Sequence, residues 1–150
     1  MSDRPVLFSL RGIGGRRCDR HKSKVLAMNR QSLPQQDERL RTDRITPELI
    51  AYIVEKIVRG VVPQRIILFG SRTRQEATGR SDLDLLIIQD SERSNREIRR
   101  QIEYLLWGRR FGLDLIVRRP EEVERNVTAR NPFYTHHILG EGLVLYERPA

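Results

Sequence analysis

The sequence predicts an α/β domain, and three observations carry that expectation. Short runs rich in β-branched and aromatic residues, Arg65–Phe69, Asp82–Ile88 and Phe111–Val117, read as strands. Stretches whose apolar residues recur at helical spacing lie before the first of these runs and between the last two. Gly, Ser and Thr punctuate the joints, so strand and helix alternate along the chain, the order of a sheet covered by helices.

Residues 1–44 carry 11 Lys and Arg against 5 Asp and Glu, leaving 17 against 15 for the remainder, so the basicity is concentrated at the start. Arg16, Arg17, Arg20, Lys22 and Lys24, followed by the polar run 29–36, show no sustained period and read as a disordered extension. Such an arm could contact RNA or a partner; a solvated extension is the commoner fate, and Met28 offers a second start. Val6–Leu10 is too short for a signal-peptide core, no run approaches the ~20 apolar residues of a membrane span, and the single cysteine, Cys18, has no internal partner. These features set the expectation of a cytoplasmic protein with one folded domain over residues 45–150.

Thr46-Pro47-Glu48 predicts a helix start, with Thr46 as N-cap, Pro47 in the first position and Ile45 stapled onto Ile50. Leu49, Ile50, Ile53, Val54, Ile57 and Val58 form one apolar face to lie on the sheet, and Gly60 is expected to stop the helix. After Arg65–Phe69 comes Gly70-Ser71, where the backbone must turn. A short helix over Arg72–Ala77 would set the Gly70 and Ser71 amides at its N-terminus, a seat for phosphate. A second turn, Thr78–Ser81, leads into Asp82–Ile88, where alternation sets Asp82 and Asp84 on one face and Leu83 and Leu85 on the other. Ser94-Asn95-Arg96-Glu97 is a capping box opening a helix with Ile98, Ile102, Leu105 and Leu106 on one side. Phe111–Val117 is a strand with one acid, Asp114. Pro120 and Asn131-Pro132 mark two more helix starts, and Leu143–Tyr146 a last strand.

The acids and the turn carry the chemistry. Burying an ionised carboxylate such as Asp114 alone costs several kcal/mol. Three carboxylates at one strand edge repel each other unless a cation neutralises them, and an all-oxygen set suits Mg²⁺ or Mn²⁺ rather than Zn²⁺. Taken singly, Asp82 fits a turn cap and Asp114 a solvent-facing strand residue; the divalent cation explains Asp82, Asp84 and Asp114 together. Arg72 and Arg74 follow the turn, and a guanidinium fork suits a triphosphate, although exposed helix arginines are the default. Arg80 reads as the partner of a nearby acid. The adjacent His136 and His137 cannot share a helix face as a metal pair does and read as packing residues beside Tyr134 and Ile138. Tyr104 and Trp107 read as core or partner surface.

Gly70-Ser71, then Asp82-Leu83-Asp84, then a strand-borne Asp114 resembles the nucleotidyltransferase superfamily that includes DNA polymerase beta, and most closely its minimal nucleotidyltransferases (MNT). The resemblance runs from about Ile45 to Glu147, through a closing helix and strand; it departs at Thr73 and Gln75, where the family often has Ala and Gly. It implies a small mixed β-sheet flanked by helices, the polymerase-beta-like nucleotidyltransferase fold. It also implies two Mg²⁺ ions held by Asp82, Asp84 and Asp114, with ATP as donor, its phosphates against Gly70 and Ser71, and Asp114 placed to take the acceptor's proton. Similar members are antitoxins that add AMP to a tyrosine of a HEPN-type RNase toxin. Two alternatives stay open: an antitoxin that neutralises its partner by binding alone, and transfer to a small molecule such as an aminoglycoside, which usually comes with an additional helical domain. Direct nucleic-acid binding is expected, if at all, only through the basic extension.

Overall fold

A computed structural model describes residues 35–74 and 77–150, and the chain divides into units Met1–Gln35 and Gln36–Ala150, the second of which holds the whole sheet and its helices. The extension expected over residues 1–44 therefore lies outside the described residues as far as residue 34, Cys18 included.

Its last residues belong to the folded unit, which begins at Gln36 and not at Ile45. A 3₁₀ turn at Glu38–Leu40 sinks Leu40 completely into the core. Ahead of it Asp37 accepts hydrogen bonds from the Tyr52 hydroxyl and from Lys56 Nζ at 2.9 Å, and Arg39 lies 4.8 Å over the Tyr52 ring. Asp37 is correspondingly acidic: burial works against its charge, and the Tyr52, Lys56 and Arg39 hydrogen bonds outweigh it. The polar composition of residues 36–44 hides this strap, because one buried leucine makes no period.

Helix α1 spans Pro47–Val61, with the Thr46 hydroxyl accepting from Leu49 N at 3.2 Å. It does not stop at Gly60. A Cβ there would lie 2.3 Å from Leu105 Cδ1, so the glycine lets a second helix pack close, and Val62 ends α1 in the left-handed region at φ 48°. Strand β1 is Arg65–Phe69 and β2 is Leu83–Ile88; helix α2, Asn95–Leu105, opens with the expected capping box, Glu97 N to Ser94 Oγ at 3.2 Å and Ser94 N to Glu97 Oε2 at 2.8 Å. Strand β3 is Leu113–Arg118, helix α3 is Pro120–Thr128, and strand β4 is Leu143–Glu147.

The sheet is mixed, in the order β3-β2-β1-β4. β1 runs antiparallel to both β2 and β4, whereas β2 and β3 are parallel, the crossover between them being α2. Side-chain alternation divides the core in two. Ile66, Leu68, Leu83, Leu85, Ile87, Leu115 and Val117 meet α1 and α2 on one face. Ile67, Phe69, Leu86 and Ile88 meet Tyr134 and Ile138 on the other. The segment carrying those two is the expected helix after Asn131-Pro132, but it is wound as a π-helix over Phe133–Gly140. His136 and His137 sit there, His137 Nδ1 3.3 Å from Glu141 Oε2. Tyr104 and Trp107 are exposed, which leaves surface rather than core as their environment. None of the helices among the described residues is long and apolar enough to cross a membrane.

Candidate active site

Parallel pairing of β2 with β3 does most of the assembly. Its register sets Asp84 directly opposite Asp114, both on the sheet face away from α1 and α2. Asp82 immediately precedes β2, and Leu83 N donates to Gly112 O at 2.9 Å, fixing the starts of the two strands side by side. The Gly70-Ser71 turn leaves β1 beside the same spot, since Phe69 pairs with Asp84.

Two glycines make room for the carboxylates. A Cβ on Gly70 would fall 2.2 Å from Asp84 Oδ2, and one on Gly112 would fall 2.0 Å from Asp82 Oδ1. Gly70 also holds φ 80°, where an L side chain is strained. Gly112 was not among the residues singled out from the sequence, although a glycine just ahead of a strand-borne acid signals such a close approach. Asp84 is half-buried, and its carboxyl is pushed above the usual carboxylate range by that burial first, then by Asp114 and Asp82, with Arg72 opposing.

Beyond Gly70 the expected helix over Arg72–Ala77 gives way to a single 3₁₀ turn at Ser71–Thr73, and Gln75 and Glu76 lie outside the described residues. Thr73 Oγ1 donates to Gly70 O at 2.7 Å, so the hydroxyl where the family often has Ala ties the turn shut. The amides of Ser71 and Arg72 have no acceptor among the described residues, which leaves two donors beside the acids.

Each of the two arginines makes its own contacts within the fold. Arg72 is turned onto the following loop, its Nη2 donating to Ser81 O at 2.6 Å and Gly79 O at 3.3 Å and its Nε to Asp82 O at 3.2 Å. It braces the segment that delivers Asp82; burial lowers its pKa, while Asp84 and Asp82 hold it up. Arg74 pairs with Glu141 at 3.2 Å, and Arg80 with Asp43 at 3.7 Å on the surface. Glu141, absent from the sequence reading, receives both Arg74 and His137.

The donor set fits a hard divalent cation: every donor is a carboxylate oxygen, and a bound cation offsets the burial and the repulsion by Asp114 and Asp82 that raise the Asp84 carboxyl. Among the described residues no three His, Cys, Asp or Glu side chains are already gathered around one point. Adjacent strands lie ~4.8 Å apart, so closing Asp84 and Asp114 on one ion calls for side-chain rotation rather than backbone movement.

None of the curated proteins matches the chain. A candidate nucleotidyltransferase from Sulfolobus solfataricus aligns in its crystal structure over 67% of this chain and 79% of its own, with 22% identity and a TM-score of 0.44. A toxin–antitoxin crystal structure with AMP-PNP aligns over 65% and 73%, with 17% identity and a TM-score of 0.43. The family described as "Nucleotidyltransferase domain" matches residues 49–134, a span that begins in α1, takes in the turn and all three aspartates, and ends in the π-helix. More than half of the sequence lies within that match, and the chain belongs to the nucleotidyltransferase domain family.

Proposed function

We propose that this nucleotidyltransferase transfers AMP from ATP, with Mg²⁺, to a tyrosine hydroxyl of a HEPN-type RNase toxin and thereby acts as the antitoxin. The register of Asp84 on Asp114, with Asp82 at the neck of β2, is the observation that carries the catalytic part of this reading. The protein acceptor rests on the family resemblance alone.

Asp82, Asp84 and Asp114 would hold the divalent cations, which when bound neutralise the triphosphate and lower the pKa of the acceptor hydroxyl. The Ser71 and Arg72 amides bind the β- and γ-phosphates, and the absent side chain at Gly70 lets the backbone come close. Arg72 acts one step back, holding the Thr78–Asp82 loop in place. The acceptor oxygen bonds to the α-phosphorus as the bridging oxygen to the β-phosphorus leaves with its electron pair, releasing pyrophosphate, and the hydroxyl proton passes to Asp114.

Incubation with α-labelled ATP, Mg²⁺ and a co-purifying protein is the test. The expected result is label on one protein band, lost in Asp82→Asn/Asp84→Asn. A stable partner that is never labelled with any of the four nucleotides would transfer the assignment to an antitoxin acting by binding alone.

A further inference from the structure

Among the described residues strand β3 is an edge strand, bonded to β2 alone. Leu83 N donates to Gly112 O at 2.9 Å and Gln89 N to Arg118 O at 3.0 Å, which fixes the phase of the ladder. In a parallel pair that phase turns the backbone groups of residues 112, 114, 116 and 118 toward β2 and those of Leu113, Leu115 and Val117 outward. Among the described residues nothing bonds to the outward groups except Arg118 Nη1, which donates to Val117 O at 2.8 Å. An uncovered ladder of this kind accepts another strand.

A cleft of about 290 Å³ runs along this edge from Asp114 to Arg118, bounded on the α2 side by Asn95, Arg96 and Arg99. Arg96 makes no ion pair or hydrogen bond among the described residues, Arg99 pairs only with exposed Glu103 at 3.1 Å, and Arg118 shares the sheet face of Asp114. Cations thus border the open edge from both of its faces, and the acid at one end is the proton acceptor of the transfer reaction.

We propose that the acceptor protein docks here as an extended acidic segment that adds to β3 as a fifth strand, its carboxylates met by Arg96, Arg99 and Arg118 and its hydroxyl residue laid against Asp114. The proposal rests on the transfer reading of the preceding section and adds where and how the acceptor is held. A polypeptide fits better than a nucleic acid, because the outward N–H and C=O groups repeat at the two-residue period of a β-strand.

The probe is a fluorescein-labelled peptide alternating glutamate and threonine around one tyrosine, added to the full-length protein. The expected result is saturable binding, weakened about tenfold in Arg96→Glu/Arg99→Glu, whose exposed sites leave the thermal melt unchanged. N-methylation of alternate peptide amides, which keeps every charge, is expected to abolish binding. Equal affinity for the double variant, indifference to N-methylation, or preferential binding of a single-stranded oligoribonucleotide of equal charge would each overturn the docking proposal. The two readings separate cleanly. Peptide that binds in the expected way but is never labelled from ATP removes the transfer reading and leaves the strand site. Undiminished labelling of a partner by Arg96→Glu/Arg99→Glu removes the strand site and leaves transfer.

Discussion

Replacing Gly70 by alanine isolates the demand that the site makes on the backbone. At φ 80°, ψ −157° the residue occupies a region populated almost only by glycine, and an alanine held there costs about 1–3 kcal/mol. The new Cβ would stand 2.2 Å from Asp84 Oδ2, where ordinary contact begins at 3.4 Å, so the carboxylate must retreat by about 1.2 Å. Pushing Asp84 off its rotamer adds about 0.5–1.5 kcal/mol. The total, about 1.5–4.5 kcal/mol, corresponds to a fall in melting temperature on the order of 10 °C for a domain of this size. Circular dichroism melts of metal-free protein measure it. Gly79→Ala is the control, because its Cβ would meet Arg44 Cγ at 3.4 Å without a positive φ, and a shift within about 0.5 kcal/mol is expected. Placing Gly70→Ala in an Asp84→Ala background should return the steric part and keep the backbone part. A Gly70→Ala melt within ~2 °C of wild type would refute the argument, since neither term could then be real.

Two further outcomes are expected from the same geometry. Asp84→Asn should stabilise the metal-free protein. Because the folded-state pKa of Asp84 is raised, the native state holds that proton more tightly than the unfolded chain. Its charge therefore costs nothing below the ordinary carboxylate range, and the penalty grows as pH rises through the raised value and is complete above it. Urea titrations across that window should show the variant's advantage appearing with pH, and Mg²⁺ should stabilise wild type more than the variant. Leu40→Ala should lower stability by about 2–4 kcal/mol in the same titrations, because the side chain is fully buried against the core; a surface-like effect would place residues 36–44 outside the folded unit.

The order of strands and helices could be read from the sequence wherever one element supplied both a periodic apolar face and a chemical boundary. α2 is the clearest case, its Ser94 and Glu97 side chains announcing its start and Ile98 and Ile102 its buried face. The legibility fails where the deciding contact is remote. Gly60 looks like a stop signal until Leu105, more than forty residues later, is seen to need the space. The 3₁₀ turn after Gly70 could not be told from a helix start, since both begin with the same residues and differ only in what the chain does next. The π-winding of Phe133–Gly140 leaves no mark in composition, since the Asn131-Pro132 start reads the same for either kind of helix. For the site, Asp82 and Asp84 could be paired by strand alternation and Asp114 joined to them by the need for a cation, but the roles of Gly112 as a recess and Arg72 as a brace depend on strand register and on loop carbonyls, which no local pattern encodes.

The strap from Gln36 to Arg44 matters to anyone choosing where to cut this gene. Trimming at Ile45, where helical periodicity begins, would delete the Asp37 anchor for Tyr52 and Lys56 and uncover the hollow that Leu40 fills. It would also loosen the loop in front of Asp82, because Arg44, which the cut removes, lies against Gly79 in that loop. Translation from Met28 retains every one of these contacts, so an expression series that steps from Met28 to Ile45 should lose yield abruptly once Asp37 and Leu40 are gone.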